Sequence, residues 1–135
     1  MDRLSPERRS ALMSRIRSKD TGPERVVRSL AHRLGFRFRL HRRDLPGTPD
    51  LAFPSRRKAI FVHGCFWHGH VCKVGKMPKS RTDYWGPKIV ENRARDARKR
   101  RQLARLGWRS LVVWECETKD APRLARVLEK FLRSA

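Results

Sequence analysis

Apolar and polar positions alternate in distinct registers along the chain, and each register predicts an element. Ser5-Pro6 reads as a helix start, with Ser as cap and Pro in the first turn. A short basic helix carrying Leu12, Met13 and Ile16 follows. SKDTGPE interrupts it. Thr21 or Gly22 then caps a second helix with Val26, Val27, Leu30, Ala31 and Leu34 at helical spacing, and Gly35 stops it. FRFRL (36–40) alternates strictly, as a half-buried strand does. HRRDLPGTP reads as a loop. A second strand begins at Asp50 and runs to Phe53, and KAIFVH (58–63) is a third whose continuous apolar middle predicts burial on both faces.

Residues 64–84 show neither periodicity. So long a loop in a small domain is usually functional and needs something to hold it. From Trp85 to Gly107 the pattern is a long helix, with Ile89, Leu103 and Leu106 as its inner stripe and Gly107 as its stop. WRSLVVWE is a fourth strand. Asp120 caps a last helix that presents Leu124, Val127, Leu128 and Phe131 inward. The order ααβββαβα implies an α/β domain, a mixed sheet with helices around it. No repeat or linker divides the 135 residues, so 1–135 is expected to be one domain, with 1–21 as a basic N-terminal arm.

Composition changes this picture in one respect. Hydrophobic residues at 39% and charged residues at 35% are globular values, but Lys plus Arg outnumber Asp plus Glu by 34 to 13, a net charge of +21. Such a chain is expected to bind a polyanion, nucleic acid first. Arg93, Arg95, Arg98, Lys99, Arg100 and Arg101 on the long helix are candidate phosphate contacts. No stretch is apolar enough to span a membrane, and MDRLSPERRS lacks the apolar core of a signal peptide. Three cysteines, an odd number, favour a reducing cytoplasm and metal ligation over a disulfide framework.

HGCFWHGHVC (63–72) is the most informative segment. It holds His63, Cys65, His68, His70 and Cys72, and Cys116 ends the fourth strand. Three thiolates and one imidazole make a tetrahedral structural zinc set that would clamp the long loop. Spacing leaves open which of the three histidines joins it. The other two would remain for proton transfer. Upstream, Pro49-Asp50 heads the second strand and resembles the metal-binding Asp of the PD-(D/E)XK nuclease core. The usual acidic-x-Lys on the next strand is missing, since residues 51–82 contain no Asp or Glu. Asp50 would therefore be the sole strand carboxylate for magnesium, which commonly binds through one or two carboxylates plus water and phosphate.

MSRIRSKDTGPE, LPGTPDL, IFVHGCFWHGHVC, YWGPKIVENRARD and LGWRSLVVWEC, in this order from about Leu12 to Cys116, resemble the very-short-patch repair (Vsr) DNA mismatch endonucleases. That resemblance implies a restriction-endonuclease-like mixed sheet flanked by helices, with one structural zinc. It implies magnesium-dependent nicking of the thymine strand, 5′ to the T of a T:G mismatch left by deamination of 5-methylcytosine. It places zinc on Cys65, His70, Cys72 and Cys116. One or two magnesium ions would lie on Asp50 and the Val62 carbonyl. His63 and His68 would be the catalytic imidazoles in either order, with Asp96 orienting His68 and Glu24 near the metal. Phe66, Trp67 and Trp85 would wedge into the base stack, at lower cost where pairing is already defective. The N-terminal arm would clamp the duplex through Arg15, Arg17 and Lys19, with Met13 as a further wedge. Trp108 and Trp114, on an apolar strand, read as core.

The resemblance further implies a bacterial, cytoplasmic monomer that works beside mismatch-repair proteins and a cytosine-5 methyltransferase. Two other readings compete: a restriction-type endonuclease on matched DNA, and a non-catalytic zinc-stapled nucleic-acid-binding protein. A zinc deaminase is excluded, because its His-x-Glu and Cys-x-x-Cys are absent.

Overall fold

The structure is a computed structural model that describes residues 22–65 and 82–134, and for residues 82–85 it describes the backbone alone. The expected first helix lies outside these residues. Helix α1 (Gly22–Arg33) leads into β1 (Arg39–Leu40), β2 (Leu51–Phe53) and β3 (Lys58–His63). Helix α2 (Thr82–Arg105), β4 (Arg109–Trp114), a 3-10 turn (Glu115–Lys119) and α3 (Ala121–Arg133) follow. The four strands lie in sequence order. β1–β2 and β2–β3 are antiparallel, and β3–β4 is parallel. The expected mixed α/β sheet is therefore present.

Strand alternation sorts the core into two faces. Leu51, Phe53, Ile60 and Val113 point to one side, where Val27 and Ala31 of α1 and Leu124, Leu128 and Leu132 of α3 cover them. Ala52, Ala59 and Phe61 point to the other, against Leu103 of α2. Ala52 and Ala59 are register partners and both fully buried, so the sheet offers α2 a shallow seat. Among the described side chains of α2 only Ile89 and Leu103 are buried, and such a seat lets it pack there.

Several expectations need correction. The first strand is two residues long, because Phe36 folds into the core cluster. The long helix starts at Thr82 and not Trp85, so 82–84 belong to the helix. Leu106 is 55% exposed and lines a cleft instead of an inner stripe. On α3, Val127 is exposed and Leu132 fills the core in its place. Other readings hold. β3 spans 58–63 with the double-sided burial expected of it. Gly107, at φ +86°, ends α2 in the left-handed region that a Cβ disfavours. Asp120 caps α3 by accepting from the Arg123 N–H.

Lys58, the first residue of β3, is buried and aims Nζ at the C-terminal end of α3. It donates to the Phe131 carbonyl at 2.6 Å and the Leu132 carbonyl at 3.3 Å. A cation there satisfies carbonyls that the helix end leaves unpaired. The last residue of the same strand, His63, enters the cleft described next.

Candidate active site

The cleft has a volume of about 980 Å³. One wall comes from Glu24 on α1, His41 after β1, Asp50 before β2, and Val62 and His63 at the end of β3. The other is the basic face of α2, with Arg95, Lys99 and Arg100.

Asp50 is aimed by the LPGTP turn. Gly47 (φ +79°) and Thr48 (φ +46°) bring the chain round sharply. A Cβ on Gly47 would meet the Phe61 ring at 3.0 Å and Lys99 Cβ at 3.1 Å, so the turn lies flat against the sheet and α2. Asp50 Oδ2 accepts from the Val62 N–H at 2.6 Å. In an extended strand the N–H and C=O of one residue face the same neighbour, so the Val62 carbonyl also faces the Asp50 side.

His41 stands opposite Asp50, because its N–H extends the β1–β2 ladder to the Asp50 carbonyl at 3.2 Å. Its Nε2 is 3.1 Å from Glu24 Oε2 and 3.9 Å from Asp50 Oδ1. Glu24 is buried in the first turn of α1, where the helix dipole favours an acid, and it accepts from Arg28 at 3.0 Å. One donor atom from each of Glu24, His41 and Asp50 lies within 4.8 Å of the other two, a group able to hold a metal ion. Burial pushes the Asp50 carboxyl up to about 7. Glu24 adds to the rise, while the Val62 N–H and Arg28 oppose it.

His63 is buried, with its ring edge-on to Trp114 at 5.3 Å and beside Phe61 at 6.0 Å. Its Nδ1 is 3.9 Å from Asp96 Oδ2 on α2. Asp96 was expected beside His68, which lies outside the described residues; the structure places it beside His63. Trp114 was expected in the core but is half-buried and joins neither core cluster; its ring lies against this imidazole instead. Trp108, also half-buried, packs against the α2-side cluster.

The parallel register of β3 and β4 pairs His63 with Trp114. Two residues further along each chain, Cys65 and Cys116 come together, and the Cys116 N–H donates to Cys65 Sγ at 3.4 Å. Cys65 is fully buried, and its N–H donates to Glu115 Oε1 at 3.3 Å. Phe66, Trp67, His68, His70, Cys72, Met13, Arg15, Arg17 and Lys19 lie outside the described residues, as does the side chain of Trp85.

Sequence reasoning missed His41, which it left in a loop. The available signal was its position just past the first strand, facing Asp50 once those strands pair.

A family model described as DNA mismatch endonuclease Vsr matches residues 1–74. The chain is 43% identical over 116 residues to the DNA mismatch endonuclease Vsr of Escherichia coli, covering 86% of this chain and 74% of that one. The chain belongs to the Vsr DNA mismatch endonuclease family. A relative from Xanthomonas oryzae, Type II nicking enzyme V.XorIIP, is 63% identical over 131 residues, 97% of this chain and 96% of its own. Another from Neisseria meningitidis, Type II nicking enzyme V.NmeAIP, is 39% identical over 132 residues, 98% and 94% of the two chains. Membership makes this a DNA endonuclease and replaces the non-catalytic reading. Among the described residues no helix is long and apolar enough to cross a membrane.

Proposed function

We propose that this Vsr-family endonuclease nicks the thymine strand 5′ to the T of a T:G mismatch by magnesium-dependent hydrolysis. The observation that carries the reading is one cleft that holds both a Glu24–His41–Asp50 group, with Glu24 buried and the other two half-buried, and a histidine, His63, backed by a carboxylate. The donors fit a hard divalent cation: two carboxylates, with a backbone carbonyl turned the same way. Asp50 and the Val62 carbonyl would hold it, with Glu24 beside them. When bound, such an ion activates water and neutralises charge on the phosphate and the leaving oxygen.

The chain's own residues would do the rest. Val62 holds Asp50 in place through its N–H. His63 moves a proton at its ring, and Asp96 steadies that ring. Arg95, Lys99 and Arg100 bind the phosphate backbone on the facing wall. His68 is the second imidazole of this reading, and Phe66, Trp67 and Trp85 the wedge.

The meeting of Cys65 and Cys116 supports a structural zinc completed by His70 and Cys72. The N-terminal arm, with Met13, Arg15, Arg17 and Lys19, would clamp the duplex, and the protein would act as a monomer in the bacterial cytoplasm.

A nicking assay tests the reading. Duplexes with one T:G pair or none are compared with and without magnesium. Magnesium-dependent cleavage 5′ to the mismatched T alone is expected. Cleavage of both duplexes would replace it with the reading of a restriction-type endonuclease on matched DNA.

A further inference from the structure

His41 turns its ring toward two carboxylates. It has φ +48°, a left-handed conformation that costs a non-glycine residue roughly 1–2 kcal/mol. That twist accompanies an inward-facing ring, with Nε2 at 3.1 Å from Glu24 and 3.9 Å from Asp50. In an octahedral site with bonds of about 2.1 Å, neighbouring ligand atoms are about 3 Å apart. The His41–Glu24 separation already matches such an edge, and the His41–Asp50 separation exceeds it by about 1 Å, within reach of a carboxylate rotation.

We infer that His41 is a third protein ligand of the ion held by Asp50 and Glu24, and that its nitrogen makes the site prefer first-row transition ions such as Mn2+ over Mg2+. The inference rests on the reading of Asp50 as a metal holder and deepens it. Magnesium takes oxygen ligands and gains little from imidazole, whereas imidazole suits the first-row divalent ions. Magnesium can still support turnover where it is far more abundant. A hydrogen bond to Glu24 alone would need only a donor at position 41, and glutamine supplies one.

The test uses the full chain without DNA and Mn2+ as the probe, because a hard ion competes poorly for thiolates. Free Mn2+ is counted by electron paramagnetic resonance, Mg2+ affinity follows from competition, and pulsed spectra report nitrogen coupled to the bound ion. Wild type is expected to bind Mn2+ at least about tenfold more tightly than Mg2+ and to show nitrogen coupling. His41→Gln should lose that coupling and about tenfold in Mn2+ affinity, with less than about a threefold change for Mg2+. A melting curve close to wild type certifies its fold, and His63→Gln should keep the coupling. Coupling that survives in His41→Gln, is lost in His63→Gln, or is absent from wild type overturns the inference. Asp50→Asn should abolish Mn2+ binding. If it binds at wild-type affinity, the Asp50 reading itself fails, whereas lost binding there with an unchanged His41→Gln defeats only the role of His41.

Discussion

Asp96 Oδ2 on α2 lies 3.9 Å from Nδ1 of His63 at the end of β3, and the ring between them is fixed edge-on to Trp114. On the proposed function, this carboxylate orients the imidazole and stabilises it when protonated. Asp96→Asn should therefore lower the nicking rate by about tenfold or more at unchanged DNA affinity. Single-turnover cleavage and equilibrium binding, measured on the same preparation, check this.

Asp50→Asn should abolish nicking yet stabilise the metal-free protein. The Asp50 carboxyl sits at about 7 when folded, above its ordinary value. The folded state therefore holds this proton more tightly than the unfolded state does. The stability it contributes is present below about pH 4 and is lost as pH rises to about 7. Asparagine removes the charge and can still accept from Val62. The variant's advantage should be small at pH 4 and on the order of 2–4 kcal/mol at pH 8. Urea midpoints at the two pH values measure it, and an advantage that shrinks as pH rises would contradict the sign.

Cys116→Ser should release zinc and lower the melting temperature by about 10 °C or more, because a structural zinc contributes directly to folding. Metal analysis beside a thermal scan checks both. Full zinc occupancy would remove Cys116 from the ligand set.

Arg95→Ala should weaken DNA binding uniformly across sequences and reduce the slope of log affinity against log salt by about 1. A salt titration on mismatched and matched duplexes reads both effects, and a loss confined to one duplex would instead assign Arg95 to recognition.

Gly47→Ala should destabilise by about 1–3 kcal/mol, since the residue sits at φ +79° and the new methyl group meets the Phe61 ring and Lys99. Chemical denaturation measures this.

What the sequence makes legible follows from how local each feature is. β3 can be read residue by residue because six consecutive positions are dictated by burial on both faces. The Asp120 cap and the Gly107 stop are equally local. Leu106 and Val127 mislead because helical spacing marks a stripe without saying where the partner surface ends. Asp50 can be picked out from its Pro-Asp context, but His41 cannot, because its relation to Asp50 exists only once β1 pairs with β2. Cys65 and Cys116, 51 residues apart, meet only through the parallel register of β3 and β4.

Lys58 and His63 stand at opposite ends of the six-residue β3, and five residue steps along the strand separate anchor from chemistry by about 17 Å. The C-terminal end of α3 is gripped at the far end, by Lys58. A surface tether attached through that end would therefore hold the enzyme with its cleft toward solution. Single molecules immobilised this way should nick DNA at the rate of the untethered protein.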